Sequence, residues 1–390
     1  MTAGLPSSKP PWAASSPSQD GATAIDPPEE LADRLRQAMG ETRRSELIAA
    51  LDREARRRMD RFLAGVEAYH AHPYRRPLED PPPIWQSGTT GLRDYGGFLN
   101  APPILMIPSL INRAQVLDLT PGRSLCRHLA DRGHRPFLVD WGLPGEEERS
   151  FSIGDYVLRR LEPILEAVIE RTGRRPVLLG YCMGGLLAMA LAQRQSDRIR
   201  GLALLATPWD FEAGDSGLIA LSRALAPLVH RFADREEAVP ADLVQLPFSL
   251  LDPLALARKY ESFGHLDPQT PRALDFMAVE DWLNDGVPLA GPAAREALDR
   301  WYMGNETARG TWDVGGQVIT PKALTAPSLV IIPERDRIVP PESALALAQA
   351  LPGAHVRTVP LGHVGMVVGR QAVARVHRPI RHWLDKLSQD

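Results

Sequence analysis

One cysteine in this chain stands where a thiol could do chemistry. Cys182 lies in Gly180-Tyr181-Cys182-Met183-Gly184-Gly185, directly after an apolar run at 176–179 and directly before a helix-forming run at 185–194. The pattern is a glycine-bracketed nucleophile on a sharp strand-to-helix turn, with cysteine in the place serine more often takes. The glycines have a steric task, because the nucleophile sits at strained backbone angles and its neighbours must approach closely without side chains. The helix that follows directs its positive end and free amides at the sulfur. That favours thiolate and allows the Met183 amide to bind an oxyanion. The other cysteine, Cys126, falls in an expected helix between Leu125 and Leu129 with no flanking glycine, and reads as packing.

Such a nucleophile needs a base and a group to orient it, in the chain order nucleophile, acid, histidine. The apolar run at 328–332 ends in Pro333-Glu334-Arg335-Asp336-Arg337, which sets Asp336 in a loop beyond the carboxyl end of a strand; Glu334 is the competing carboxylate. The run at 355–359 ends in Leu361-Gly362-His363-Val364-Gly365, and of ten histidines only His363 is flanked by glycines just past a late strand. Hence Cys182 is the expected nucleophile, His363 the base and Asp336 its orienting carboxylate. A second oxyanion donor is expected in the loop after the first strand, Pro108-Ser109-Leu110-Ile111-Asn112, from the amide of Ser109 or Leu110. A thiolate is more nucleophilic than a hydroxyl near neutral pH and exchanges readily with thioesters, so the cysteine favours an acyl thioester substrate. A cap that dries the site would then send the acyl group to a hydroxyl acceptor and not to water.

The elements that must hold these groups alternate strand and helix. Strands are expected at 104–107, 136–139, 176–179 and 201–205, with helices at 124–131, 153–171 and 185–194, which predicts a mostly parallel sheet with right-handed crossovers. After Thr207-Pro208-Trp209-Asp210 the alternation stops for roughly ninety residues of proline-broken helical pattern, expected to form a cap at about 211–312. It resumes with the strand at 328–332, a helix at 342–351, the strand at 355–359 and a closing helix at about 372–387. The catalytic domain is therefore placed at 84–387. Ahead of it, 1–28 is rich in Pro, Ser, Ala and Gly and reads as a disordered tail, neither signal peptide nor anchor. The segment 29–83 reads as helical: Leu31, Leu35 and Met39, then Met59, Phe62, Leu63 and Val66, suggest two amphipathic helices ended by prolines at 73–83. The basic cluster Arg53, Arg56, Arg57, Arg58 and Arg61 reads as a solvated helix face.

Composition narrows the partners. A net charge of −3 from 45 basic and 48 acidic residues gives no electrostatic reason to expect nucleic acid. Two distant cysteines without CxxC spacing or a histidine cluster argue against a disulfide framework and a metal site, and suit a reducing cytoplasm. No apolar run approaches the ~18 residues that span a bilayer, so any membrane or granule contact is expected to be peripheral.

Taken together, these motifs resemble the poly(hydroxyalkanoate) synthases, enzymes of the α/β-hydrolase fold that polymerise 3-hydroxyacyl-CoA into polyester with release of CoA. The resemblance runs over roughly 84–384. It includes Pro108-Ser109-Leu110-Ile111-Asn112-Arg113, Val139-Asp140-Trp141-Gly142, Asp155-Tyr156-Val157, the cysteine elbow and Thr207-Pro208-Trp209-Asp210-Phe211. In the cap it includes Glu280-Asp281-Trp282-Leu283-Asn284-Asp285 and Trp301-Tyr302-Met303-Gly304-Asn305. The resemblance implies that Cys182, Asp336 and His363 form a catalytic triad, and that the partners are 3-hydroxyacyl-CoA, the growing polyester and a polymer granule surface. It also implies that CoA is a leaving group and no cofactor is needed. The short N-terminal region and Gly362-His363-Val364-Gly365 are more similar to shorter synthases that act with a second subunit; a homodimer is the other arrangement implied. The chain departs from the family at Glu306-Thr307-Ala308, where a leucine is usual, and over 1–69. A thioesterase, esterase or depolymerase with the same triad is the alternative activity, and a non-catalytic granule-associated protein is a second alternative.

Overall fold

The computed structural model describes residues 41–387 apart from 99–100, 215, 236 and 253. The expected tail at 1–28 and the stretch with Leu31, Leu35 and Met39 lie outside the described residues. The chain divides into two compact units, Met1–Ala64 and Gly65–Asp390, and the division falls inside one helix, α1 (Glu41–Ala71). The stripe from Met59 to Val66 and the arginine cluster thus share a single 31-residue helix. In the first unit Arg56 pairs with Asp52 and Arg58 with Glu54, each at 2.8 Å and four residues apart, as on a solvated helix face.

The second unit is built on an eight-stranded sheet. Its strands are β1 (Pro83–Ser87), β2 (Thr90–Asp94), β3 (Pro103–Ile107), β4 (Arg135–Asp140), β5 (Val177–Tyr181), β6 (Gly201–Leu205), β7 (Ser328–Pro333) and β8 (His355–Val359). Their order across the sheet is β1-β2-β4-β3-β5-β6-β7-β8, with β3 to β8 mutually parallel and β2 antiparallel to both β1 and β4. The hairpin β1–β2 lies ahead of 104–107, the first strand that the sequence predicts. Its strands are short, half-polar and at the sheet edge, and only pairing with β4 reveals them.

The central strands are apolar throughout because helices cover both faces, and every residue of β3, β5, β6 and β7 is buried. Side chains alternate between the two cores. Leu105, Leu178, Leu202 and Val330 point to one, whereas Ile104, Leu179, Ala203 and Ile331 point to the other. Between strands run α2 (Leu125–Ala130), a helix with a π turn at Ile153–Thr172, and α3 (Met183–Arg194). Cys126 is fully buried in α2, 3.6 Å from the Met106 sulfur, and burial pushes its thiol well above its ordinary pKa. It packs, as its neighbours implied.

Between β6 and β7 the chain forms α4 (Ser216–Asp234), α5 (Ala241–Ser249), α6 (Ala255–Phe263), α7 (Pro271–Asn284) and α8 (Gly291–Glu296), the last continuing as a π-helix, Ala297–Met303. Two further helices, α9 (Pro341–Ala350) and α10 (Arg378–Leu387), complete the covering layers.

Backbone approaches around the end of β5 explain the glycines of the elbow. A Cβ on Gly180 would lie 2.4 Å from the Gly185 Cα, and one on Gly184 would lie 2.2 Å from the Ile107 carbonyl oxygen and 2.4 Å from that of Pro108. Gly184→Ala should therefore push the 107–109 loop away and lower stability by about 3 kcal/mol. An unchanged urea midpoint for that variant would show that this close packing is misplaced.

Candidate active site

Three loops at the carboxyl edge of the parallel strands meet at one place, because β5, β7 and β8 all end on that edge. Cys182 follows β5 directly and caps α3. Its φ of 55° and ψ of −129° lie outside the ordinary L-residue regions, a strain that costs of order 1–3 kcal/mol and clusters at functional sites. The strain turns the sulfur out of the sheet, where it touches both hydrophobic cores and remains half-buried.

Asp336, in the loop after β7, is buried. One carboxylate oxygen accepts hydrogen bonds from the amides of Ile338 (2.8 Å) and Val339 (2.9 Å), and the other lies 2.6 Å from Nδ1 of His363. Its orientation is therefore fixed from behind and spent on the imidazole. The loops after β7 and β8 are laced together by Glu334 N–H donating to the Val359 carbonyl (2.8 Å) and Arg335 N–H to that of Leu361 (3.0 Å). Glu334 is exposed, so the competing carboxylate is turned to solvent.

His363 is buried between Asp336 and Cys182. Burial acts to lower its pKa, but the negative charge of Cys182 and then of Asp336, with hydrogen bonds to both, push it up from 6.5 to about 10. The imidazole thus keeps its proton near neutrality and faces the sulfur as a cation. The structure brings Cys182, Asp336 and His363 together as the sequence order suggested.

Tyr181 was not singled out from sequence. Its hydroxyl donates to the His363 backbone carbonyl (3.2 Å), and its ring lies 5.2 Å from the imidazole at a tilt of 34°. It fixes both the loop and the ring of the base. Tyr181→Phe should lower kcat about fivefold with little change in KM, the effect of losing one positioning hydrogen bond of about 1 kcal/mol. A KM effect of equal size would assign the tyrosine to substrate binding instead.

Of the expected oxyanion donors, Met183 and Ser109 line cavities that reach Cys182, while the Leu110 side chain is buried in the core. The Ser109 hydroxyl accepts from the Ile111 amide (3.2 Å), and the Trp141 indole N–H donates to the Pro108 carbonyl (3.1 Å), which holds the loop in place. Neither the Ser109 nor the Leu110 amide has a backbone partner among the described residues.

Two cavities converge on the sulfur. One, of about 250 Å³, is lined by Ser109, Asn112, Arg113, Gln245, Trp282 and His363 and so carries the polar groups. The other, of about 110 Å³, runs under the inserted helices and is lined almost wholly by apolar side chains, among them Phe211, Leu225, Val229, Leu298 and Trp301. Among the described residues no cluster of three or more His, Cys, Asp or Glu could hold a metal ion, and no helix is long and apolar enough to cross a membrane.

A family model for the alpha/beta hydrolase fold matches residues 102–369. The poly(3-hydroxyalkanoate) polymerase subunit PhaC of Synechocystis sp. is 30% identical over 293 residues, covering 73% of this chain and 78% of that protein. The subunit of the same name from Allochromatium vinosum is 28% identical over 73% of this chain and 81% of its own length. For that of Haloferax mediterranei the identity is 28% over 74% of this chain, which spans only 59% of the longer relative. Among solved structures, BpoC of Mycobacterium tuberculosis H37Rv superposes with a TM-score of 0.50 at 17% identity, covering 78% of this chain and 98% of that one, a likeness of fold alone.

Proposed function

We propose, for a chain that belongs to the α/β-hydrolase fold family and within it to the poly(3-hydroxyalkanoate) polymerases, that it joins 3-hydroxyacyl groups from CoA thioesters into polyester through Cys182. The observation that carries this reading is a buried Asp336–His363 pair facing a strained cysteine that opens on two cavities.

In the proposed cycle the Cys182 sulfur attacks the thioester carbonyl, and the resulting oxyanion is met by the Met183 amide and an amide of the 109–110 loop. The carbon–sulfur bond to CoA breaks, and the CoA sulfur leaves with the proton from His363. Neutral His363 then takes the proton from the 3-hydroxyl of the next monomer, whose oxygen attacks the acyl group on Cys182. An ester forms, the cysteine sulfur leaves, and the ion pair is restored. Asp336 holds the imidazole in the tautomer that presents Nε2 to these transfers.

CoA is a leaving group in this scheme and no cofactor takes part. Work in the cytoplasm, at a granule surface, as a homodimer or with a second subunit belongs to the same proposal. The apolar lining next to Cys182 supports acyl transfer over hydrolysis, since it leaves little to hold an attacking water. Incubation of the purified protein with 3-hydroxybutyryl-CoA should release CoA and deposit insoluble polymer. Release of CoA with only free hydroxy acid would select a thioesterase, and no release would overturn the reading.

A further inference from the structure

Two segments that the catalytic cycle leaves unused are stitched together beside the sulfur. Asn305, in the left-handed region at φ 47° and almost fully buried, receives the Phe211 amide on its carbonyl oxygen (2.9 Å) and donates from its side-chain nitrogen to Asp210 (2.8 Å). The Thr307 hydroxyl donates to the Trp209 carbonyl. Phe211 stacks on Trp301 with centroids 6.0 Å apart and meets the Tyr302 ring edge-on at 4.9 Å. Tyr302 itself lies in the π-helix Ala297–Met303, a local widening that costs regular hydrogen bonding and recurs where a side chain must be aimed.

The clamp fixes a phenol on the wall of the apolar cavity that ends at Cys182. Among the described residues no protein group hydrogen-bonds the Tyr302 hydroxyl, and the half-buried side chain opens on the cavity, so a bound acyl group that excludes water must either meet the phenol or leave it unmet. Tyr302 and Ser222 are the hydroxyl residues on that cavity's lining, and the charge on Cys182 acts on the Tyr302 phenol. Burial, and then that charge, raise its pKa above the ordinary 10, so it remains a donor at any working pH.

We propose that Tyr302 is a specificity-determining residue that donates a hydrogen bond to the oxygen on C3 of the acyl group carried by Cys182. That oxygen is a hydroxyl in a freshly loaded monomer and an ester oxygen in a growing chain, and it accepts in both. A plain acyl group displaces the water that meets the phenol and offers no acceptor in its place, so the site rejects it through the cost of a donor left unpaired on binding. The inference rests on the proposed acylation of Cys182 by CoA thioesters.

The test is a single-turnover measurement of CoA release from 3-hydroxybutyryl-CoA and from butyryl-CoA, with the wild type and with Tyr302→Phe, which keeps the ring packing. The wild type should prefer the hydroxyacyl thioester by more than about tenfold, and Tyr302→Phe should lose at least about tenfold of that preference. A wild-type ratio near one would overturn the proposal before any variant is made. A ratio unaltered in Tyr302→Phe would overturn it as well, including the case in which the phenol acts on the sulfur and slows both substrates equally. No CoA release from either thioester would sink the acylation chemistry together with the proposal, whereas release with an unaltered ratio sinks the proposal alone.

Discussion

Cys182→Ala will lower kcat by at least about 10⁴-fold, while Cys126→Ala will stay within about twofold of wild type. The contrast follows from the surroundings of the two thiols. Cys182 sits on a strained turn at the mouth of two cavities and faces a cationic imidazole. Cys126 is sealed in the core, where burial keeps it a neutral thiol, and its loss removes only a small apolar volume. Rates with a CoA thioester, measured beside the thermal midpoint of each variant, separate chemistry from folding. Equal losses in the two variants would place the nucleophile elsewhere.

The second large effect concerns the base. Asp336→Asn will lower kcat about 10⁴-fold, because an amide cannot hold the imidazole tautomer that the carboxylate enforces. His363→Gln will cost at least as much, and will also slow alkylation of Cys182 by iodoacetamide at pH 7 by more than about tenfold, since the imidazole that faces the sulfur is gone. The same pair makes a prediction about pH and stability. Folded His363 titrates near 10 against 6.5 for an unperturbed histidine, so its contribution is fully present below about pH 6.5 and is lost as pH rises through 10. The melting temperature of the wild type should therefore fall toward that of His363→Gln across this window. A gap that widens with rising pH would reverse the assigned ion pair.

Much of this site is written locally. Gly180 and Gly184 mark the elbow because each adjoins backbone too closely to carry a side chain, Gly185 because it lies against the Thr207 side chain, and Gly362 and Gly365 bracket the base. Strand ends and chain order narrow the carboxylate to the 334–336 loop, and the fold separates Asp336 from Glu334 by turning the glutamate outward. Tyr181 was illegible for a physical reason: an aromatic residue ending a buried strand reads as core, and only the return of the 361–365 loop gives its hydroxyl a partner. Tyr302 is a similar case, since the turn that aims it is a π-helix with no sequence signal apart from the fold. The hairpin β1–β2 escaped because its short strands carry Gln86, Ser87, Arg93 and Asp94, and the decisive information is the register of β2 against β4.

The most direct test of the central claim is to mix the protein with 3-hydroxybutyryl-CoA, quench within one turnover in acid, and map the adduct by peptide mass spectrometry. The account predicts one added 3-hydroxybutyryl group on the peptide containing Cys182, removable by hydroxylamine and absent in Cys182→Ala. An acyl group found on Cys126, or on any residue that survives in the Cys182→Ala protein, would contradict it.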